Sequence, residues 1–150
     1  MRIELLQKLT TVAIVLALGV IMLGAYTRLT DAGLGCPDWP GCYGQLVLPA
    51  SKLERANAQH LFPAIPIEAA KAWTEMVHRY LAGTLGFLIF LIAFVSMGRF
   101  KLPLLFLCLL IFQAALGMWT VTLKLLPQVV MGHLLGGMLL YSGLIYFFHK

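Results

Sequence analysis

Two histidines lie inside long apolar segments, where an ionisable side chain is costly and usually marks a functional site. His78 is five residues past Trp73, where one apolar segment begins, and His133 is five residues past Gln128, where another begins. Five residues of helix correspond to about 7.5 Å of depth. If both segments are helices that enter a membrane from the same side, the two imidazoles lie at one depth. They can then bind a single metal ion between them.

Small residues surround both histidines. They are Gly132, Gly136 and Gly137 around His133, and Ala82 and Gly86 at i+4 spacing along the face of His78. Such residues leave room beside a ligand for a flat macrocycle, and haem iron with two axial histidines is a familiar arrangement. The alternative interpretation is that small residues only let membrane helices pack closely. Taken with the two histidines, they favour a haem site.

Charged residues lie next to His78. Glu75 precedes it by three residues, so both side chains share one helical face. A carboxylate there can hydrogen-bond a ligand histidine or act as an acid or base at the macrocycle edge; the alternative is an interfacial residue that still reaches water. Arg79 and Arg28 lie near the same boundary and could pair with haem propionates or extend to lipid headgroups.

The composition predicts that membrane helices position these residues. Hydrophobic residues make up 61% of the chain and charged residues 11%, and the mean hydropathy is +0.90; a soluble domain has roughly a quarter of its residues charged. Four apolar runs, about 9–27, 73–97, 102–122 and 128–148, each reach the roughly 20 residues that cross a bilayer, and they must be helical because lipid cannot hydrogen-bond a bare backbone. We expect an all-α integral membrane protein. Its single four-helix bundle has a long loop, residues 28–72, between its first and second helices.

The Lys and Arg residues predict the orientation of this bundle. One side has short, dense basic segments that contain Arg2, Lys8, Arg99, Lys101 and Lys150. Such segments orient a membrane protein, so both termini are expected in the cytoplasm of a bacterial inner membrane, with the long loop outside. The net charge of +5 then reflects cytoplasmic basic residues and not nucleic-acid binding. The first run is expected to stay uncleaved, because it exceeds a signal-peptide core and no Ala-x-Ala-like site follows it.

Two cysteines bracket a tight segment of the long loop. Cys36 and Cys42 are separated by Pro-Asp-Trp-Pro-Gly, which can hold the thiols close together. In an oxidising space they form a disulfide; in a reducing compartment they remain free thiols. A zinc site is disfavoured, because no other Cys or His lies at ligand spacing around the pair. Cys108, inside the third run, is a small apolar packing residue.

The chain also contains a short internal repeat. Residues 23–27 (LGAYT), at the end of the first run, resemble residues 116–120 (LGMWT), at the end of the third. Each is followed by a run with an early histidine. The pattern suggests a two-helix unit used twice, although short matches also arise by chance in apolar sequence.

Several of these segments resemble the haem A synthase family. Residues 27–30 (TRLT) and 33–42 (GLGCPDWPGC) are similar to the first external loop of that family. Residues 75–83 (EMVHRYLAG) look like its second-helix motif, and His133 stands where its fourth-helix histidine is expected. The resemblance covers nearly the whole chain.

The resemblance implies an oxidoreductase that converts the C8 methyl of haem O to the formyl of haem A for terminal oxidases. By carry-over, His78 and His133 are the axial ligands of the haem iron, Glu75 is the catalytic carboxylate, and Cys36 and Cys42 form an external disulfide. Haem O is the implied substrate, and haem b is a possible occupant. Two other functions stay open: an electron carrier with a bis-histidine b-type haem, and a non-catalytic membrane assembly subunit.

The four predicted spans differ from the eight that are usual in the family, which form two similar halves. The chain therefore resembles the N-terminal half of such an enzyme. We expect it to act as a homodimer or with a second four-helix half, surrounded by membrane lipid. Haem O synthase and terminal oxidase assembly factors are further expected partners.

Overall fold

The computed structural model describes residues 2–96 and 102–149, and this part of the chain is all-α, as predicted. Its helices are α1 (Arg2–Leu29), α2 (Lys52–Leu61), α3 (Ala69–Ser96), α4 (Leu102–Thr122) and α5 (Pro127–Phe148). All except α2 are long and apolar enough to cross a membrane. The chain is therefore an integral membrane protein, and the prediction of four spanning helices is confirmed.

The spanning helices extend beyond the predicted apolar runs. Helix α1 starts at Arg2, where the apolar run was placed near residue 9, and α3 starts at Ala69, where it was placed near 73. Helical hydrogen bonds are local, so a helix need not stop where its apolar stretch stops. The end of the predicted run 73–97, together with Arg99, Lys101 and Lys150, lies outside the described residues.

Part of the segment that was predicted as a loop, residues 28–72, is helical, and that part of the prediction is wrong. Helix α2 begins with a capping box. The backbone N–H of Glu54 donates to the Ser51 hydroxyl, and the backbone N–H of Ser51 donates to the Glu54 carboxylate. These hydrogen bonds hold the pKa of the Glu54 carboxyl below its usual range. The cap is therefore formed at neutral pH and is lost as the pH falls through that lowered pKa.

The spanning helices form a ring. Helix α1 packs against α3 and α5, and α4 packs against the same two helices. The core between these helices includes Ala13 and Ala17 of α1, which are buried in one cluster with Ile89 of α3 and Leu144 of α5. Small side chains on α1 let its neighbours approach closely. Nearer the loop end of the bundle, the ring encloses a cavity that contains the residues of interest.

The disulfide loop, residues 33–45, and α2 pack on the first turns of α3. A disulfide joins Cys36 and Cys42, and both residues are fully buried, in a small core with Tyr43 and Ala72. The Tyr43 hydroxyl donates to the Pro66 carbonyl, and burial raises the pKa of this phenol, which keeps it protonated. The loop thus forms a second layer that covers one end of the membrane bundle.

Glycine is required where this loop meets α3. A Cβ added to Gly35 would lie 2.6 Å from the backbone carbon of Lys71 and 2.7 Å from the backbone nitrogen of Ala72. Neither atom belongs to a flexible side chain, so the contact cannot be relieved by rotation. The loop seats on the helix only because residue 35 has no side chain.

We predict that Gly35→Ala displaces the disulfide loop from α3. The added Cβ overpacks the contact and should lower the free energy of unfolding by about 1–3 kcal/mol. The rate at which a water-soluble reductant opens the Cys36–Cys42 bond should rise, because the buried bond becomes accessible. Gly19→Ala is the control, since a Cβ at Gly19 meets nothing within 4 Å. Equal reduction rates in the two variants would contradict the prediction.

Candidate functional site

The cavity inside the ring of helices has a volume of about 1170 Å³. His78, His133 and Glu75 line it, and Trp39 and Pro40 of the disulfide loop contribute to its wall. Most of the wall is apolar. Pockets for small molecules typically measure about 300–1,000 Å³. This cavity therefore suits a large, mainly apolar ligand.

The two histidines contact the ring of helices in matching ways. A Cβ added to Gly24 of α1 would lie 2.9 Å from Cε1 of His78, and a Cβ added to Gly117 of α4 would lie 3.2 Å from Cε1 of His133. Each imidazole therefore packs against a glycine of the preceding membrane helix. These glycines are equivalent residues of the short internal repeat, so the repeat corresponds to a structural feature.

The repeat extends to the ends of α1 and α4. Backbone N–H groups of Ala32 and Leu125 donate to the carbonyls five residues earlier, at 2.9 and 2.8 Å. Asp31 and Lys124, which precede these donors, have φ values of 52° and 50°. Such 6→1 bonds next to a left-handed residue terminate a helix. Both glycine-bearing helices thus end in the same way, directly above the cavity.

The histidines have unused hydrogen-bonding capacity. The Nδ1 atoms of His78 and His133 are buried and have no hydrogen-bond partner among the described residues. Buried polar atoms are nearly always paired, so two orphaned imidazole nitrogens beside one cavity indicate a ligand. Gly83 also lines the cavity, and a Cβ there would meet nothing within 4 Å. Two imidazoles, apolar walls and open space beside a glycine fit haem, which His78 and His133 would hold.

Glu75 is buried beside His78 and not solvated: the residue is 4% exposed. Its Oε2 accepts from the Cys36 backbone N–H at 2.9 Å, and its Oε1 accepts from Arg79 Nη2 at 2.5 Å. Cys36 belongs to the disulfide, so the loop and the carboxylate hold each other in place. The carboxylate also lines the cavity, within reach of a bound ligand.

Arg79 connects helix α3 to the disulfide loop. Besides its ion pair with Glu75, its Nη1 donates to the carbonyls of Asp38, Pro40 and Gly41. Only 12% of its side chain is exposed. The guanidinium is therefore satisfied mainly by protein oxygens, and it does not extend to lipid headgroups.

Of the other residues considered, some line the cavity and others lie on the surface or between helices. Arg28 lines the cavity edge, with its side chain 55% exposed, and pairs with Asp31 at 3.5 Å. The two histidines outside the apolar runs or at their ends, His60 and His149, are exposed. Of the small residues, some line the cavity and others pack only against neighbouring helices. The lining ones are Ala82, Gly86 and Gly137, and the packing ones are Gly132 and Gly136.

One residue of this site was missed in the sequence. Gln113 of α4 lines the cavity, and its carboxamide donates to the backbone carbonyl of His133 at 2.6 Å. The signal was available, because a carboxamide within an apolar membrane run is itself unusual. A carboxamide carries no charge, so a search for ionisable groups in the apolar runs does not identify it.

Comparison with known proteins supplies a family context for this geometry. A family described as "Cytochrome oxidase assembly protein" matches residues 7–150. The chain is 55% identical over 141 residues to the heme A synthase of Shewanella oneidensis, covering 91% of this chain and 43% of that protein. It is 33% identical over 128 residues to the heme A synthase of Sinorhizobium fredii, covering 73% and 35% respectively. The chain thus spans less than half the length of these curated relatives, and no solved structure matches it.

Replacing Arg79 tests whether it attaches the loop to the helix. We expect Arg79→Met to leave Glu75 buried without its cation, which should lower the free energy of unfolding by roughly 3 kcal/mol. The variant should also detach the loop from α3. Limited proteolysis should then cut between residues 36 and 47, and the melting temperature should fall. Arg28→Met, which removes an exposed ion pair, serves as the control. If both variants are cut at the same rate, Arg79 does not hold the loop.

Proposed function

This chain belongs to the COX15-CtaA family of cytochrome oxidase assembly proteins, and we propose that it is the haem-O-binding unit of a haem A synthase. The observation that carries the proposal is the pair of half-buried histidines, His78 and His133, at one apolar cavity with a buried carboxylate beside them. The names of its relatives in Shewanella oneidensis and Sinorhizobium fredii support the same activity.

The proposed reaction is the oxidation of the C8 methyl group of haem O to the formyl group of haem A by successive hydroxylation. With water as the oxygen source, the conversion consumes one water and releases four protons and four electrons. A haem held by His78 and His133 would supply redox-active iron, and the electrons would pass to an acceptor in the membrane. The protein must hold the methyl group near a proton acceptor and keep the site apolar.

Glu75 is the group that we propose for proton transfer. Its carboxylate lines the cavity one helical turn from His78, so it is close to any ligand that His78 binds. The Cys36 N–H and Arg79 fix its position, which favours productive contact with one edge of the ligand. Its location in a mostly apolar wall limits competition from bulk water.

The main alternative is an electron carrier with a bis-histidine haem. That function needs the two histidines but gives no role to a buried carboxylate clamped beside them. The clamped Glu75 therefore favours the oxidase-type reaction. Analysis of the haem extracted from membranes that contain the chain separates the two functions, since only the first produces haem A.

We propose further that the disulfide loop faces the outside of the cell and that both termini are cytoplasmic, as the basic residues predict. Glu4, Lys8 and Phe148 line one surface groove, so the start of α1 and the end of α5 lie together. A Cβ on Gly33 would lie 3.2 Å from Leu125 of the α4–α5 turn, so both connections lie together at the opposite end. An external loop would be in a space where its disulfide is stable.

For catalysis we propose a second four-helix unit, which is either another copy of the chain or a separate segment. The support is that the chain covers 43% of its Shewanella oneidensis relative. Haem O synthase and terminal oxidase assembly factors remain proposed partners for the delivery of substrate and the removal of product.

The histidine assignment predicts the behaviour of single variants. His78→Ala and His133→Ala should each abolish the optical spectrum of a low-spin bis-histidine haem, because one axial ligand is lost. His60→Ala, on the exposed surface of α2, should leave the spectrum intact. Retention of the low-spin spectrum in both cavity variants would show that other residues bind the iron.

Glu75→Gln should retain haem but lose its conversion. The amide keeps the shape of the side chain and removes its proton-accepting capacity, so haem A formation should fall at least about 100-fold in membranes where the unaltered chain supports it. Glu68→Gln is the matched control, since Glu68 pairs with Lys71 at the exposed start of α3. Normal conversion by the Glu75 variant would exclude it as the proton acceptor.

A further inference from the structure

Gln113 forms a direct connection between α4 and the histidine on α5. Its Nε2 donates to the backbone carbonyl of His133 at 2.6 Å. A side chain of α4 is thus bonded directly to the residue that carries the imidazole.

Two glycines of α5 make room for this carboxamide. A Cβ added to Gly136 would overlap Oε1 of Gln113, and a Cβ added to Gly137 would lie 3.3 Å from its Nε2. The carboxamide therefore lies in a notch formed by the glycine pair. In a membrane-spanning segment this fit fixes both the separation of the helices and the rotation of α5 about its axis.

Among the described residues, the other histidine has no equivalent side-chain support. Val20 of α1 occupies the position in the internal repeat that corresponds to Gln113, and its apolar side chain cannot donate a hydrogen bond. The side-chain hydrogen bond to the backbone is thus found at His133 and not at His78. The two histidines are held by different means.

We propose that Gln113 is a positioning residue that, with Gly136, sets the orientation of the His133 imidazole toward the bound haem. The inference rests on the proposed function, because it treats His133 as an axial ligand. Partners outside the ligand shell orient metal-bound histidines in proteins generally, and their loss typically costs about 10- to 100-fold in metal affinity. Gln113 acts through His133, because its carboxamide is bonded to the His133 carbonyl and packed against Gly136.

The first test replaces Gln113 with Met, which has similar length but cannot donate the hydrogen bond. We expect haem affinity to fall by about 10-fold and the g-values of the low-spin electron paramagnetic resonance signal to shift. These g-values report the orientation of the axial imidazoles, which a loss of stability alone does not change. An unchanged signal and unchanged haem affinity would overturn the proposal.

The second test uses the glycines as a matched pair. Gly136→Ala should displace the carboxamide and reproduce the shift, whereas Gly132→Ala should not, since its Cβ would lie at an ordinary 3.8 Å from Leu116. In a Gln113→Ala background the clash partner is absent, so Gly136→Ala should add no further shift. Equal effects of Gly136→Ala with and without Gln113 would contradict the proposed contact.

Failure of this inference is distinguishable from failure of the proposed function. If the unaltered chain binds no haem, the proposed function is wrong, and thermal unfolding of the haem-free protein still tests the notch. There, Gly136→Ala should lower the melting temperature by about 3 °C more than Gly132→Ala, and only when Gln113 is present. If the chain binds haem normally and none of the Gln113 and Gly136 variants alters it, the positioning role alone is overturned.

Discussion

A carboxylate and a guanidinium buried one helical turn apart on α3 join the two layers of this molecule. Glu75 accepts the Cys36 N–H, and Arg79 donates to carbonyls of the same loop while it neutralises Glu75. Neither charge is tolerable alone in a region that is poor in water, because each would be buried without compensation. The disulfide loop supplies the remaining hydrogen-bond partners, so the loop cannot pack on α3 without also fixing the position of Glu75. Because the loop contributes Trp39 and Pro40 to the cavity wall, the same packing shapes the cavity and places its candidate proton acceptor.

Much of the architecture could be predicted from the sequence because lipid imposes a simple rule: apolar runs of sufficient length must be helices. The same rule predicts one depth for His78 and His133, since helical rise converts sequence spacing into depth, and the two residues line one cavity. Helix α2 was not predicted, although Ser51 and Glu54 carry a capping-box pattern. The whole segment was assigned by its polarity, and polarity does not distinguish a loop from a short surface helix.

The site itself was less predictable, because its details depend on contacts between distant parts of the chain. Nothing near Arg79 in sequence indicates that its partners are the carbonyls of Asp38, Pro40 and Gly41, since that contact requires the loop to fold back on α3. Glycines around His133 were interpreted together as room for a macrocycle, but Gly136 instead accommodates Gln113. Spacing identifies the residues that share a helical face; it does not identify what a neighbouring helix places against them.

The internal repeat explains why the two histidines pack in the same way, and the residues that differ between its copies make the two sides of the cavity chemically different. Both histidines pack against a glycine of the preceding spanning helix, so the framework is used twice. At the positions that correspond to Glu75 and Arg79, however, α5 has Val130 and Leu134, which also line the cavity. Of the two histidine-bearing helices, α3 and not α5 therefore contributes acidic and basic side chains to the cavity wall. Covering these charges requires the long connection with its disulfide, while a short turn suffices between α4 and α5. Two histidines that pack alike, beside a single carboxylate, give the cavity one charged wall. The proposed oxidation of a single methyl group on a nearly symmetric macrocycle needs such an asymmetry.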